Sequence, residues 1–223
     1  MTSTARRLSV VVAGVVGAVL LAACGASPKT GGTYRIDPGR CNGAAITGSY
    51  FRIAKPGGST ASGPFFLNPQ SPCRDKSYTV VQPGTDGGLV AGTFQPNPKP
   101  AFDSNGHPRA GAVIAPVAFD GSTLSISTNP IDPQSGEHLS PPVIKAVKGK
   151  LSGQLEAWSA EWTRQYFNQG SPRPGGGLTS AVTGSYDATT GSYVLTWTSQ
   201  MLGYPFNGFT VYWHLAGRFI SGK

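Results

Sequence analysis

The chain has 223 residues, of which 39% are hydrophobic, 10% aromatic and only 13% charged, with a formal net charge of +8. Its 31 glycines and 19 prolines imply many turns, yet the ring content and scarce charge exclude an intrinsically disordered chain, which is poor in aromatics and rich in charge. The basic residues are dispersed, Lys145, Lys148 and Lys150 being the densest cluster, which reads as general solvation with a mild bias toward anionic lipid or acidic envelope polymers.

The first element in chain order is a targeting segment. Arg6-Arg7 precede an apolar run from Leu8 to Ala23, closed by Leu21-Ala22-Ala23-Cys24. A charged start, an apolar middle and small residues before a cleavage point are the parts of a secretory signal peptide. The quartet resembles the lipobox of bacterial lipoproteins. That resemblance implies a signal peptide over residues 1–23, diacylglycerol on the Cys24 thiol, and a mature chain held by lipid at the outer face of the cytoplasmic membrane. The alternatives are plain secretion or an uncleaved span. The run is shorter than the roughly 20 residues a span needs, Gly14 and Gly17 add no apolar area, and no basic stop-transfer cluster follows. Arg6-Arg7 also fit twin-arginine export, although Leu8-Ser9-Val10 lacks the bulky apolar pair of such signals.

Residues 24–33 read as a short tether, since eight residues from Gly25 to Gly32 reach at most ~28 Å. An exported, anchored protein has no routine access to nucleic acid, so no nucleic-acid partner is expected. With Cys24 committed to lipid, Cys41 and Cys73 remain as a pair in an oxidising compartment. Neither lies in a Cys-x-x-Cys motif. A disulfide between them closes a loop that stabilises the fold by roughly 3–4 kcal/mol in the chain-entropy model.

Residues 34–223 show no composition shift that marks a second domain. Short strands are predicted at Tyr50 to Ile53, Tyr78 to Gln82, Leu89 to Phe94, Val113 to Phe119 and Ser122 to Thr128, each bounded by Gly, Pro or Asp. A Pro-rich loop fills Gln95 to Arg109. Ala181 to Tyr186 and Ser192 to Ser199 flank a five-residue turn ending in Gly191, a hairpin signal. From Phe209 to Phe219, Phe209, Val211, Trp213, Leu215, Gly217 and Phe219 alternate with Thr210, Tyr212, His214, Ala216 and Arg218, as in a strand with one buried face. Tyr193, Leu195 and Trp197 share that core face.

Leu151 to Tyr166 is ambiguous. Leu151, Leu155, Trp158, Trp162 and Tyr166 fit a helical stripe, whereas Leu151, Gly153, Leu155 and Ala157 alternate as in a half-buried strand, and Gly153 costs a helix interior about 1 kcal/mol. The strand reading is preferred, with one helix at about 151–166 as the alternative. Tyr166-Phe167-Asn168-Gln169-Gly170-Ser171-Pro172 and the pairing of Gly208-Phe209 with Trp213-His214-Leu215 resemble uncharacterised secreted β-rich bacterial proteins. The fold expectation is all-β: one β-sandwich or β-barrel domain.

Standard catalytic signatures are missing from the sequence: no Gly-x-Ser-x-Gly, no Ser-x-x-Lys, no His-Glu-x-x-His, no phosphate-cradling loop. Glu137-His138 offers two metal ligands where zinc needs three or four, and Asp103-Ser104-Asn105-Gly106 reads as a turn. No cofactor or metal is implied. Asp187, Glu156 and Glu161 are read as solvated surface charges. The aromatics carry the binding potential. On the strand reading Trp158, Trp162 and Tyr166 form an exposed row that stacks on a sugar or covers an acyl chain, and on the helix reading they are core, which is also where large rings are usually found. His214 is a candidate rim residue on the polar face of the last strand. The functional expectation is a lipid-anchored envelope protein, non-enzymatic, that binds a lipid, glycan or protein partner. A hydrolase using His214 with Asp187 or a Glu, or a structural and assembly role, is the alternative.

Overall fold

The computed structural model describes residues 31–222, so the expected signal peptide, Cys24 and most of the expected tether lie outside the described residues. Every regular element among them is a strand. The first group is β1 (Gly32–Ile36), β2 (Arg40–Asn42), β3 (Ala45–Thr47), β4 (Tyr50–Ser59), β5 (Gly63–Phe65), β6 (Tyr78–Val80) and β7 (Gly88–Ala91). Next come β8 (Ile114–Phe119), β9 (Ser122–Thr128), β10 (Val143–Val147), β11 (Lys150–Gln154), β12 (Trp158–Trp162) and β13 (Gln165–Asn168). The last are β14 (Val182–Tyr186), β15 (Ser192–Gln200) and β16 (Thr210–Ser221).

The large sheet runs β10-β11-β14-β15-β16-β1-β7, all antiparallel. β16 is long enough to take two partners on one edge. β1 pairs with its end, Gly32 opposite Ser221, and β4 pairs with its start, His214 opposite Tyr50. β5 and β6 extend the sheet beyond β4. A second sheet, β13-β12-β9-β8, lies against the first. Trp158 of β12 meets Trp197 of β15 edge-on at 5.1 Å and Trp213 of β16 at 5.5 Å, and Phe51 of β4 meets Phe119 of β8 at 5.6 Å. Rings from both sheets thus share one apolar core, the arrangement of a β-sandwich. Cys41 in the β2–β3 hairpin is joined to Cys73 by the expected disulfide, with Cα atoms 5.3 Å apart, which ties the hairpin to the loop ahead of β6.

The periodic segments fold as their alternation requires. On β16, Val211, Trp213, Leu215, Gly217 and Phe219 are buried while Tyr212, His214 and Arg218 face outward, and Tyr193, Leu195 and Trp197 of β15 are buried beside them. The helix considered for 151–166 is not formed. That stretch is β11, a turn, β12 and the start of β13. Gly153 explains part of this, because a Cβ there would stand 2.1 Å from the Val143 carbonyl oxygen of the neighbouring strand, so its role is close strand approach. The turn at Leu155–Ala157, closed by Trp158 N–H donating to Leu155 O at 3.0 Å, carries the chain from the large sheet to the small one.

That change of sheet resets the alternation. Leu151 and Leu155 are buried on one side of the turn, and Trp158, Ala160 and Trp162 are buried on the other. The exposed row of Trp158, Trp162 and Tyr166 is therefore corrected: Trp158 and Trp162 belong to the core. Residues 159 and 161 face the outside of the small sheet yet are fully buried: Asn97 lies beside Glu161, and Gly111 and Ala112 pack on Ser125 and Ser127, the register partners of 161 and 159.

Candidate binding surface

The outer face of the large sheet carries an aromatic surface built by strand register. Thr198 of β15, Tyr212 of β16, Arg52 of β4 and Tyr78 of β6 are successive cross-strand partners, and Thr196, His214, Tyr50 and Val80 form the next row. Each alternates with a buried residue such as Trp197, Trp213 or Phe51, so period-2 geometry sends all eight side chains to the side away from the core. Four strands at ~4.8 Å spacing bring rings distant in sequence into contact. His214 stacks on Tyr50 at 4.6 Å and 14°, Tyr78 meets Tyr50 edge-on at 5.2 Å, and Tyr212 lies 6.4 Å from Tyr50. All four rings are half-buried. They are partly covered by one another and partly open.

Arg52 anchors one side. Its guanidinium carbon sits 3.6 Å from the Phe65 ring centroid and 4.3 Å from that of Tyr78, a double cation–π arrangement. Its Nε and Nη2 donate to Ser77 Oγ at 3.1 and 2.9 Å, and Asp75 stands 4.0 Å away. Burial raises the Asp75 carboxyl, but the Ser77 hydrogen bonds and Arg52 outweigh it, so its pKa is lowered and the acid stays ionised beside the guanidinium. Burial pushes the Tyr50 phenol up to about 12, with Tyr212 and Tyr78 adding to the effect. Burial likewise raises Tyr212 and lowers His214 below its ordinary 6.5. The raised Tyr50 and Tyr212 phenols and the lowered His214 imidazole all favour their uncharged forms, and Arg52 faces Asp75.

The sequence-predicted residues separate. His214 lies in this surface, as expected of a rim residue, but its neighbours are rings. Burial is the cause of its shift, with no carboxylate acting on it. Asp187 caps its own turn by accepting from Thr189 N–H at 2.8 Å and Thr190 Oγ1 at 2.9 Å. Ser192, which closes that turn, is in register with Arg218, four residues and roughly 13 Å along β16 from His214. The His214–Asp187 pair of a hydrolase is not assembled. Trp162 instead lines an apolar void of about 20 Å³ with Phe119, Phe206 and Trp213, room for about one water and far too small for an acyl chain. Tyr166 is half-buried on β13, at the edge of the small sheet, edge-on to Phe102 at 5.3 Å.

One carboxyl departs from its expected place. Glu161 is fully buried rather than solvated, because β12 is covered on both faces. Ser125 Oγ lies 2.7 Å from its Oε2. Burial pushes it up to about 8, moderated by the Asn97 amide and by Ser125, although Asn97 Nδ2 and Glu161 Oε1 fall short of good hydrogen-bond geometry. No protein-family model, curated protein or solved structure matches the chain. The reading of the surface therefore rests on its own chemistry.

Tyr50, Arg52, Tyr78 and Tyr212 were not among the predicted site residues. A signal for them was present: Tyr50 and Arg52 alternate with Phe51 and Ile53, and Tyr212 was already on the polar face with His214. What the sequence lacks is the pairing that gathers them.

Proposed function

We propose that the protein is a lipid-anchored envelope protein that binds a neutral glycan on the outer face of its large sheet. The observation that carries this reading is the contiguous surface of Tyr50, Tyr78, Tyr212 and His214 with Arg52 at its side. Aromatic faces take the apolar C–H face of a sugar ring, and their polar edges, with Arg52 and the Thr196 and Thr198 hydroxyls, supply hydrogen bonds. A surface of uncharged rings, whose neighbouring guanidinium is already matched by Asp75, suits a neutral polymer better than an anionic one.

Location supports the same reading. Gly32, where the tether would enter, is opposite Ser221, while His214 lies seven residues back along β16, roughly 23 Å away. With a short tether on Cys24, the surface would stand off from the bilayer, toward envelope polymers. The filled core speaks against carriage of a lipid inside the domain.

Affinity electrophoresis of the detergent-solubilised protein through gels containing neutral envelope polysaccharide tests the proposal. Retardation is expected, unchanged by added salt. Tyr50→Ala or Tyr212→Ala should weaken it by roughly 2- to 12-fold, the worth of one stacked ring at 0.5–1.5 kcal/mol. Equal retardation of wild type and both variants, with their folds intact, would refute it. The anchor is tested apart from the glycan: Cys24→Ala should release the protein from the membrane fraction, and an uncleaved, membrane-bound Cys24→Ala chain would restore the spanning alternative.

A further inference from the structure

On the far side of the sandwich, the loops around residues 96–101 and 129–133 enclose a cleft of about 440 Å³, within the size range of small-molecule sites. Pro96, Pro98, Pro100, Pro130 and Pro133 are five of its eleven lining residues, and Tyr166 is another.

The walls are built in advance of any ligand. Gln95 and Thr128 exchange backbone hydrogen bonds at 3.0 and 2.8 Å. Asn97 N–H donates to Asn129 Oδ1 at 3.2 Å, and Asn129 Nδ2 donates to Asn97 Oδ1 at 2.6 Å. Behind Asn97 sits the buried Glu161 carboxyl, held by Ser125. Proline rings fix their own backbone angles, so little ordering remains to oppose binding.

The lining chemistry selects a class of ligand. A pyrrolidine ring presents saturated C–H groups and no N–H, and such groups complement the electron-rich face of an aromatic ring. A sugar ring would bring C–H groups to C–H groups. Lys99 at the cleft adds an ammonium that favours a π face and a negative charge, and no carboxylate lines the cleft. Tyr166 offers a ring for edge contact. We propose that this cleft is a second binding site, independent of the sheet surface, that takes an aryl group bearing a carboxylate.

Phenylacetate and cyclohexylacetate separate this from plain hydrophobic capture, because they match in charge and size and differ in the π system. Amide-detected NMR of the full-length protein in detergent reads both. Phenylacetate should shift the side-chain amides of Asn97 and Asn129 and bind roughly three- to tenfold tighter than cyclohexylacetate. Lys99→Ala and Tyr166→Ala should each weaken it severalfold, with dispersed spectra showing an intact fold. Tyr212→Ala, on the opposite face, should leave it unchanged, so failure of the glycan reading does not touch this site. Equal binding of the two acids, preference for methyl glucoside at the same amides, or no shift with phenylacetate would each overturn the proposal.

Discussion

Glu161 gives the sharpest prediction, because a carboxyl fully buried behind a loop must show itself in the dependence of stability on pH. Its ordinary value is 4.5 and burial moves it to about 8 in the folded chain. Between those values the folded state holds one proton more than the unfolded state, so unfolding free energy falls as pH rises, by about 1.4 kcal/mol per pH unit. The contribution is complete below pH 4.5 and lost once pH passes about 8. Over that range it amounts to roughly 4–5 kcal/mol, a large share of a domain's usual 5–15 kcal/mol.

Glu161→Gln removes the titration while keeping size and hydrogen-bonding capacity, since an amide can still meet Ser125 Oγ. The variant should match wild type near pH 5 and exceed it by several kcal/mol at pH 9. Urea unfolding followed by tryptophan fluorescence is a suitable assay, because Trp158, Trp162, Trp197 and Trp213 are all buried. His214 works in the opposite sense: its pKa is lowered by burial, so stability rises as pH climbs through 6.5. That contribution is common to both proteins and cancels in their difference. Tyr50, at about 12, stays neutral throughout. Parallel pH profiles for wild type and Glu161→Gln would mean that water reaches the carboxyl, and that the loop from Gln95 to Ala112 does not seal the small sheet.

Cys41→Ser or Cys73→Ser should lower stability by roughly 3–4 kcal/mol by urea unfolding, as expected for opening a loop with a sequence separation of 32. An unchanged midpoint would mean that the β2–β3 hairpin is held without the bond. Trp162→Ala should cost roughly 3–5 kcal/mol, since it enlarges a void already about 20 Å³ in volume and removes the indole N–H donated to Phe119 O at 3.1 Å. Loss of glycan retardation by Trp162→Ala in a protein of wild-type stability would return this ring to a binding role.

Much of the fold was legible because alternation is a local signal. Ser122 to Thr128 was read with its observed bounds, the β14–β15 hairpin within a residue or two, and the two faces of β16 residue by residue. The strands that escaped notice are short or interrupted. β1 (Gly32–Ile36) and β10 (Val143–Val147) have five residues each and β2, β3 and β5 have three each, too few for period 2 to stand out from chance. Leu151 to Tyr166 misled for another reason. The chain changes sheets at Leu155–Ala157, so an alternation counted through the turn assigns Trp158 and Trp162 to the wrong face.

The candidate surface was hidden by the same physics that makes it. In the sequence, a row of rings suitable for stacking is visible only within one segment, where spacing can be counted along the chain. The rings that meet come from three strands, at Tyr50, Tyr78, and Tyr212 with His214, and only register brings them together. Register is set by where hairpins turn and where β16 hands its edge from β4 to β1, which are properties of the assembled sheet. Glu161 was hidden likewise. In a two-layer fold its outward position on β12 reads as solvent-facing, and only the third layer, the Pro-rich loop pinned by Gln95 and Asn97, makes it buried. The residues that looked most like a site, Trp158 and Trp162, are large enough that the core claims them first. The half-buried tyrosines and His214 are what the sheet leaves on its outer face.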